Sequence, residues 1–239
     1  MASNAASIPQ LEQGHPCFDC PVRDLAVCGV LESGPLRSFK ATGPMVYYRA
    51  GETVVFEADD ATNVYSLTWG LLRLSKLLPD GRRQIAGFLF PGDFLGITME
   101  EEHAFTVEAV APSKLCKFPR RNFDAFVAAH PALERRLYAV AAHELAAARQ
   151  QLVLLGRKTA TERVSSFILM LASRCSAQHG ADEIHLPMSR ADIADYLGLR
   201  LETVSREIST LKAARVIQLT GRQSLRVVNR GRLDQLAEG

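Results

Sequence analysis

Four cysteine side chains carry the clearest chemical information in the chain. Cys17, Cys20 and Cys28 lie in one short N-terminal segment with the spacing C-x2-C-x7-C, and Cys116 stands alone far downstream. Four thiolates can hold one [4Fe-4S] cluster or one zinc ion, and the spacing by itself does not choose between them. The sequence therefore predicts a thiolate metal site that forms only when folding brings Cys116 to the N-terminal segment.

The composition of the chain predicts a cytoplasmic protein. Its 239 residues are enough for one large or two ordinary domains. They are 47% apolar and 23% charged, with a net charge of +2. No apolar run approaches the roughly 20 residues that cross a bilayer, and the stretch from Met1 to Gln10 lacks the pattern of a secretory signal. In a reducing compartment, clustered cysteines more often bind metal than form disulfides. The fifth cysteine, Cys175, lies in an apolar stretch and is expected to pack in a core.

The chain from Met45 to Phe118 alternates between apolar and polar residues with a period of two. Pro79-Asp80-Gly81 interrupts the alternation as a turn signal, because proline presets one backbone angle and glycine accepts the next. Short, evenly spaced strands of this kind predict an antiparallel β-roll. The predicted strands are Val46–Tyr48, Thr53–Phe56, Leu71–Leu74, Gln84–Phe90 and Phe105–Val110.

A long helix is predicted from Pro131 to about Gly156, a stretch rich in strong helix formers. Apolar residues recur along it at steps of four and three, which places them in one narrow stripe with small side chains near its middle. We expect this stripe to be the seam of a homodimer, while packing of the same stripe on the helix's own roll remains an alternative. The seam residues are Leu137, Ala141, Leu145, Ala148, Leu152 and Leu155.

The chain from Arg157 onward predicts a DNA-binding domain. It carries 13 Lys and Arg against 9 Asp and Glu, whereas the preceding residues carry 15 against 17. A basic excess this small is usually an ordinary solvated face, and by itself it only mildly favours a nucleic-acid partner. Ser189, followed three residues later by Asp192, can cap a helix, and Gly198 permits a tight turn into a second helix. This spacing is typical of a helix-turn-helix.

The second of these helices carries a polar edge that suits base reading. Glu202, Ser205 and Arg206 fall at i, i+3 and i+4, so they share one edge, as an ordinary Glu–Arg surface pair also would. Arginine can donate two bonds to guanine, glutamate can accept from cytosine, and serine can meet thymine or a phosphate. Two strand-like stretches within residues 216–228 predict a two-stranded wing behind the helix pair. The predicted DNA contacts are Glu202, Thr203, Ser205, Arg206, Ser189 and, at the tip of the wing, Arg222.

Nearly the whole chain resembles the cyclic-AMP receptor and FNR superfamily of bacterial transcription regulators. Within it, the C-x2-C-x7-C spacing is similar to that of FnrN-, FnrL- and AadR-like members of the FNR branch, and E-x-x-S-R at Glu202 to Arg206 is a specific match. The resemblance implies an α+β fold: an N-terminal antiparallel β-roll, a long dimerisation helix and a C-terminal winged helix-turn-helix. The other segments that carry it are Phe90–Gly96 and Leu155–Arg163.

This resemblance also implies a function. Each subunit of a homodimer would hold one oxygen-labile [4Fe-4S] cluster on the four cysteines and, with the cluster intact, would bind palindromes like TTGAT-N4-ATCAA and activate anaerobic or microaerobic genes. A roll surface around Leu78 to Arg83 would contact RNA polymerase. No cyclic nucleotide is expected, since Gly96-Ile97 and His103-Ala104 stand where nucleotide-binding members carry their phosphate-binding residues. The alternative is the same fold with a zinc or thiol-redox site.

These patterns divide the chain into four parts. We expect a cluster-binding segment at residues 1–33, a β-roll sensor at 34–130, a dimerisation helix at 131–156 and a winged helix-turn-helix at 157–239. An enzyme is not expected, because the six histidines form no H-x-x-x-H pair and accompany no recognisable nucleophile motif. A membrane is not an expected partner.

Overall fold

The computed structural model describes residues 9–97, 100–179 and 183–239, with the backbone alone for residues 175–179. The predicted packing of Cys175 therefore lies outside the described side chains. The chain forms two compact units: one holds the residues up to Leu74 together with Phe88–Leu145, and the other holds Ser75–Gly87 together with Ala146–Gly239. Among the described helices, none is both long and apolar enough to span a membrane.

The β-rich part of the chain is a six-stranded sheet. Its strand order is β1-β6-β3-β4, with β2 paired to β6 and β5 paired to β3, and the pairs of defined register are antiparallel. The predicted antiparallel roll is thereby confirmed. The strands are β1 (Met45–Tyr48), β2 (Thr53–Val55), β3 (Asn63–Leu77), β4 (Arg83–Leu89), β5 (Phe94–Leu95) and β6 (Thr106–Pro119).

Strands β3 and β6 are longer than the sequence pattern predicts. In β3 every residue from Val64 to Thr68 is buried, so this stretch lacks the alternation that marks a strand with one wet face. Its polar members need partners when they are buried, and the hydroxyl of Thr68 donates to the carbonyl of Lys114 on β6 at 2.9 Å. The extension of β6 matters for the site because it contains Cys116, which pairs with Met45 of β1.

Three helices pack with the sheet in the first unit. They are α1 (Ser33–Ala41), α2 (Arg120–Ala129) and the first turns of α3 (Pro131–Arg157), which begins where the sequence predicts. An aromatic core joins them: the ring of Phe39 from α1 stacks on Phe118 of β6 with centroids 4.2 Å apart, and Phe94 stacks on Phe123 of α2 at 5.1 Å. Aromatic pairs of this kind add to the free energy gained by burial alone.

The second unit contains the helix-turn-helix. Its helices are α4 (Ala160–His179), α5 (Arg190–Leu197), α6 (Leu201–Ala213) and α7 (Arg230–Glu238). The predicted wing strands are present as β8 (Ile217–Leu219) and β9 (Ser224–Val227), but the prediction of two strands is incomplete. A third, β7 (Glu183–His185), pairs with the other side of β9 and makes the order β7-β9-β8.

Candidate metal centre and nucleic-acid interface

All four predicted cysteine ligands line one small cavity, which we call the cysteine cavity. Its volume is about 20 Å³. Cys17 is buried, and Cys20, Cys28 and Cys116 are partly exposed. The other lining side chains are mainly apolar. They are Val22, Ala26, Leu36, Phe39, Lys40, Ser66, Thr68 and Phe118.

A series of tight turns shapes the chain from Cys17 to Cys28, which we call the cysteine segment. The N–H of Cys20 donates to the carbonyl of Cys17 at 3.3 Å, and the N–H of Arg23 donates to the carbonyl of Cys20 at 3.4 Å. The segment ends in a 3-10 helix, Val27–Val30, that contains Cys28. A Cβ atom on the next residue, Gly29, would clash with the carbonyl oxygen of Arg23. Glycine is therefore required beside Cys28, because only glycine lets the two backbone stretches come this close.

His15 holds the start of the cysteine segment and was not identified from the sequence. The side chain is 4% exposed, its Nδ1 accepts from the N–H of Cys17 at 3.0 Å, and its Nε2 lies 3.1 Å from the carbonyl oxygen of Ser33. Since one ring nitrogen accepts and the other faces an acceptor, the neutral ring with its proton on Nε2 satisfies both bonds. The only sequence signal is the position of His15, two residues before the first cysteine.

Lys40 brings a positive charge to the cysteine cavity and was also missed. It lies in the last turn of α1, and its Nζ donates to Sγ of Cys116 at 3.3 Å and to the carbonyl of Gly43 at 2.8 Å. The contact joins residues 76 positions apart, so no local pattern in the sequence could show it.

Burial raises the pKa of the Cys17, Cys20 and Cys28 thiols. Burial, together with smaller contributions from the neighbouring Cys20 and Cys17, raises the pKa of Cys28 to about 12. Burial also raises the pKa of Cys17 and of Cys20, although Lys40 and Arg23 act in the opposite direction. A metal that takes up these sulfurs as thiolates must displace their protons.

The donor set suits a thiolate-bound metal, whereas the cavity is small. Soft thiolates select zinc or iron–sulfur centres, and four of them surround one mostly apolar space. In the described part of the chain, no three metal-binding side chains already converge on one point. A cavity of about 20 Å³ holds about one water molecule. The chemistry of the four residues therefore fits, and a cluster would need the lining of the cavity to move apart.

The cysteine segment is connected to α3. The carbonyl of Leu25, between Cys20 and Cys28, accepts from Nη2 of Arg136 at 2.9 Å. The core around the cysteine cavity also takes in Leu133, which is fully buried, and Leu137. A rearrangement of the cysteine segment would thus act on α3 through a hydrogen bond and through shared packing.

The predicted seam residues differ in exposure along α3. Leu137 is half-buried against the core of the first unit. The middle of the stripe is open to solvent in the single chain, with Leu145 53% and Leu152 72% exposed. Ala141 and Ala148 are also exposed, and Leu155 is half-buried. Exposed leucines in register with small alanines leave an apolar face that a second helix can approach closely.

The helix-turn-helix is fixed by two local devices. At the start of α5, the hydroxyl of Ser189 accepts from the N–H of Asp192 at 3.0 Å, and Oδ2 of Asp192 accepts from the N–H of Ser189, which completes a capping box. At its end, Gly198 has φ +60 in the left-handed conformation that glycine adopts readily. Arg163 braces the turn, since its guanidinium donates to the carbonyls of Lys158, Leu155 and Leu197, each at 2.9 Å.

The polar edge of α6 faces solvent as a groove-reading edge should. Glu202, Ser205 and Arg206 are exposed and Thr203 is half-buried. The side chain of Arg206 is 68% exposed, and its Nε lies 3.5 Å from Oε1 of Glu207, too long for a strong ion pair. Arg222 is exposed between β8 and β9, whereas the hydroxyl of Ser189 is engaged by Asp192 in the capping box.

A second cavity lies in the roll, at the residues that stand where nucleotide-binding members of the superfamily hold a cyclic nucleotide. Its volume is about 370 Å³, and Gly96, Ile97, His103 and Ala104 are among the residues that line it. Of the lining residues within the described ranges, only His103 and Glu144 carry ionisable side chains. A cyclic phosphate is normally met by a cation, and burial lowers the pKa of His103, as does Arg120. A lining this poor in cations is consistent with the expectation that no cyclic nucleotide binds here. That expectation stays a prediction.

Comparisons with known proteins agree with this architecture. Residues 45–130 match a family model described as the cyclic nucleotide-binding domain, and residues 162–236 match the Crp-like helix-turn-helix domain. The chain is 47% identical over 200 residues to the nitrogen fixation regulation protein FixK of Bradyrhizobium diazoefficiens, covering 83% of this chain and 84% of the relative. It is 40% identical over 219 residues to the transcriptional activatory protein AadR of Rhodopseudomonas palustris, covering 91% of each.

The solved structure of FixK2 from Bradyrhizobium japonicum has the same fold. It superposes with a TM-score of 0.77 at 38% identity, covering 81% of this chain and 96% of that chain. The relatives are transcription regulators and not enzymes. The chain belongs to the cyclic-AMP receptor/FNR superfamily, in its FNR-type branch, and is a DNA-binding transcription activator.

Proposed function

We propose that this protein is an oxygen-responsive, dimeric activator that holds one [4Fe-4S] cluster per subunit on Cys17, Cys20, Cys28 and Cys116. The observation that carries the proposal is the meeting of these four thiols at one cavity whose surrounding core includes the first turns of α3. The site and the predicted dimer helix therefore share one set of packed side chains.

When bound, a cluster of this kind supplies a centre that oxygen can degrade. The protein's own part is to hold the cysteine segment in one conformation. In that conformation Leu25 accepts from Arg136 of α3, and Leu137 packs in the same core as Cys17 and Cys116. A segment that relaxes would withdraw both supports from the N-terminal half of α3.

The four parts of the chain divide this work. Residues 1–33 would bind the cluster, 34–130 would form the sensor, 131–156 would dimerise and 157–239 would bind DNA. A dimer presents two copies of α6. When one copy binds a half-site of a TTGAT-N4-ATCAA-like palindrome, the effective concentration of the second copy at the other half-site rises. The exposed turn at residues 79–82 is the part of the hairpin surface open to RNA polymerase.

A zinc site on the same four thiols is the second candidate. The small volume of the cysteine cavity, about 20 Å³, favours it, because a single ion needs a smaller displacement of the segment than a cluster does. Zinc is not redox-active. Under this candidate the protein would be an activator with a structural metal or a thiol-redox switch. Its DNA binding would then not depend on an air-labile cluster.

Purification without oxygen distinguishes the two candidates. We expect a straw-brown protein that contains iron and sulfide, bleaches in air and binds a palindromic duplex more weakly after bleaching. The variant Cys116→Ser should lose the colour as fully as a change at any N-terminal cysteine. The matched control is Cys175→Ser, which should keep both colour and DNA binding. A colourless protein that holds zinc, or full DNA binding after bleaching, would contradict the proposal.

A further inference from the structure

Lys40 occupies a special place at the cysteine cavity. Among the described residues that line the cavity it is the only basic one. Its Nζ lies 3.3 Å from Sγ of Cys116, within hydrogen-bond distance for a sulfur acceptor, and the ammonium has no acceptor role of its own. The positive group is therefore directed at one particular sulfur of the four.

The surrounding chain holds this ammonium in place. Its second bond is to the carbonyl of Gly43 at 2.8 Å. The backbone at Gly43 packs so closely on Phe118 that a Cβ atom there would clash with its ring, so this position requires glycine. Phe118 in turn stacks on Phe39, the residue that precedes Lys40 on α1. The donor is thus placed by the helix on one side and by a glycine-dependent close approach on the other.

The positive charge of Lys40 beside Cys116 would matter for a bound cluster. Four thiolate ligands outweigh the positive charge of a cluster core, so the loaded site is anionic, and a buried anion is costly unless a cation or donor meets it. Hydrogen bonds to the sulfurs and nearby charge also set the reduction potential of such centres. A cation beside Cys116 favours the more reduced, more negative state and so makes oxidation harder.

We propose that Lys40 is a positioning residue for the metal centre: it donates to Sγ of Cys116, holds that ligand in place and protects the bound cluster from oxidation and loss. This inference rests on the proposed function. It assigns a specific protective role to a residue outside the cysteine motif, and it predicts that oxygen tolerance depends on α1 as well as on the cysteine segment.

The test compares Lys40→Met with Lys40→Arg and Lys117→Met. Methionine keeps the length of the side chain but removes the charge and the donor. Lys117 is the neighbour of Cys116 on β6, where successive side chains point to opposite faces, and its Nζ lies over the ring of Tyr65. Lys117→Met therefore makes the same change of net charge one residue away from Cys116, outside the lining of the cysteine cavity.

All four proteins are reconstituted with iron and sulfide without oxygen. The rate at which the cluster absorbance decays in air and the midpoint potential are then measured. We expect Lys40→Met to bleach about tenfold faster, as for the loss of other outer-shell partners, and to have a lower potential. Lys40→Arg, which keeps a charged donor, should recover most of the lifetime, and Lys117→Met should match the unchanged protein.

Each result bears on the inference. Equal lifetimes and potentials for Lys40→Met and the unchanged protein would overturn it, and so would equal acceleration by Lys117→Met, because charge alone would then account for the effect. Failure of Lys40→Met to take up a cluster, with uptake restored in Lys40→Arg, supports it. An unchanged protein that takes up no cluster defeats the proposed function itself, and this inference with it.

Discussion

The guanidinium of Arg83 donates from Nη2 to Oδ1 of Asp192 at 2.8 Å. Arg83 begins β4, and Asp192 is the third helical residue of α5 and a member of its capping box, with a side chain only 5% exposed. Nε of the same guanidinium donates to Asp195 at 2.8 Å. The hairpin of residues 75–87 is thereby held to the first helix of the DNA-binding motif, within one compact unit.

Replacement of Arg83 by Ala should destabilise the second unit. A buried carboxylate that loses its charged partner costs about 1–3 kcal/mol, even though Ser189 still bonds Asp192. Denaturant unfolding measures the change. The control is Arg82→Ala at the preceding residue, whose pair with Asp80 is exposed at 77% and 52% and should contribute little to stability. Equal losses in the two variants would show that the Arg83 contact adds no stability.

Replacement of Arg206 by Ala should weaken DNA binding and relax the choice of one base. The exposed guanidinium on α6 can make two bonds to a guanine, which are worth about 1–3 kcal/mol of discrimination. Binding to duplexes with each substitution in the half-site measures this. The comparison is Arg222→Ala at the wing, which should weaken binding to all sequences alike and reduce the salt dependence. An unchanged preference in Arg206→Ala would remove Arg206 from base reading.

The reduced, metal-free protein should lose stability in alkaline solution. The folded chain raises the pKa of Cys28 from 9.0 to about 12, so the unfolded chain releases this proton first. Stability from this group is complete below about pH 9 and is lost progressively as the pH rises to about 12. Denaturant unfolding at increasing pH measures the slope. In Cys28→Ala the slope should be shallower, and an identical slope would contradict the assignment to Cys28.

A charge in the seam should disrupt dimers. In Leu145→Glu, a carboxylate replaces a 53% exposed leucine at the middle of the predicted stripe, where burial against a partner would be costly. We expect a shift from dimer to monomer by analytical ultracentrifugation of the anaerobic protein. His143→Glu puts the same group two positions earlier on α3, roughly on the opposite side of the helix, and should remain dimeric. A dimer that persists in Leu145→Glu would place the interface elsewhere.

The elements with a strong local pattern could be predicted from the sequence. Proline at the start of α3 and the capping box of Ser189 and Asp192 are signals that act within a few residues, and both helices begin where these signals lie. The period of two located parts of β3 and β6 but not their full length. In β3 burial of both faces from Val64 to Thr68 removes the alternation.

Helices α1 and α2 and strands β5 and β7 are among the elements that were missed because their patterns are short. Helix α1 contains Gly34 and Pro35 and buries only Leu36 and Phe39, which is too little for a helical period to show. Helix α2 buries only Phe123, and β7 has three residues. Such elements form because the larger core covers them, and tertiary packing outweighs local propensity there.

The four cysteines could be predicted from the sequence as candidate ligands, but the residues that support them could not. His15 and Lys40 act on Cys17 and Cys116 through contacts made by folding. The bond from Lys40 crosses from a helix to a strand, and no spacing rule relates the two residues. The cysteine motif therefore predicts the candidate ligands but not the ionisable residues that contact them.

The size of the cysteine cavity bears on how the site would be loaded. A space of about 20 Å³ holds about one water molecule. Under the proposed function, uptake of a cluster would therefore require the residues that line the cavity to move apart.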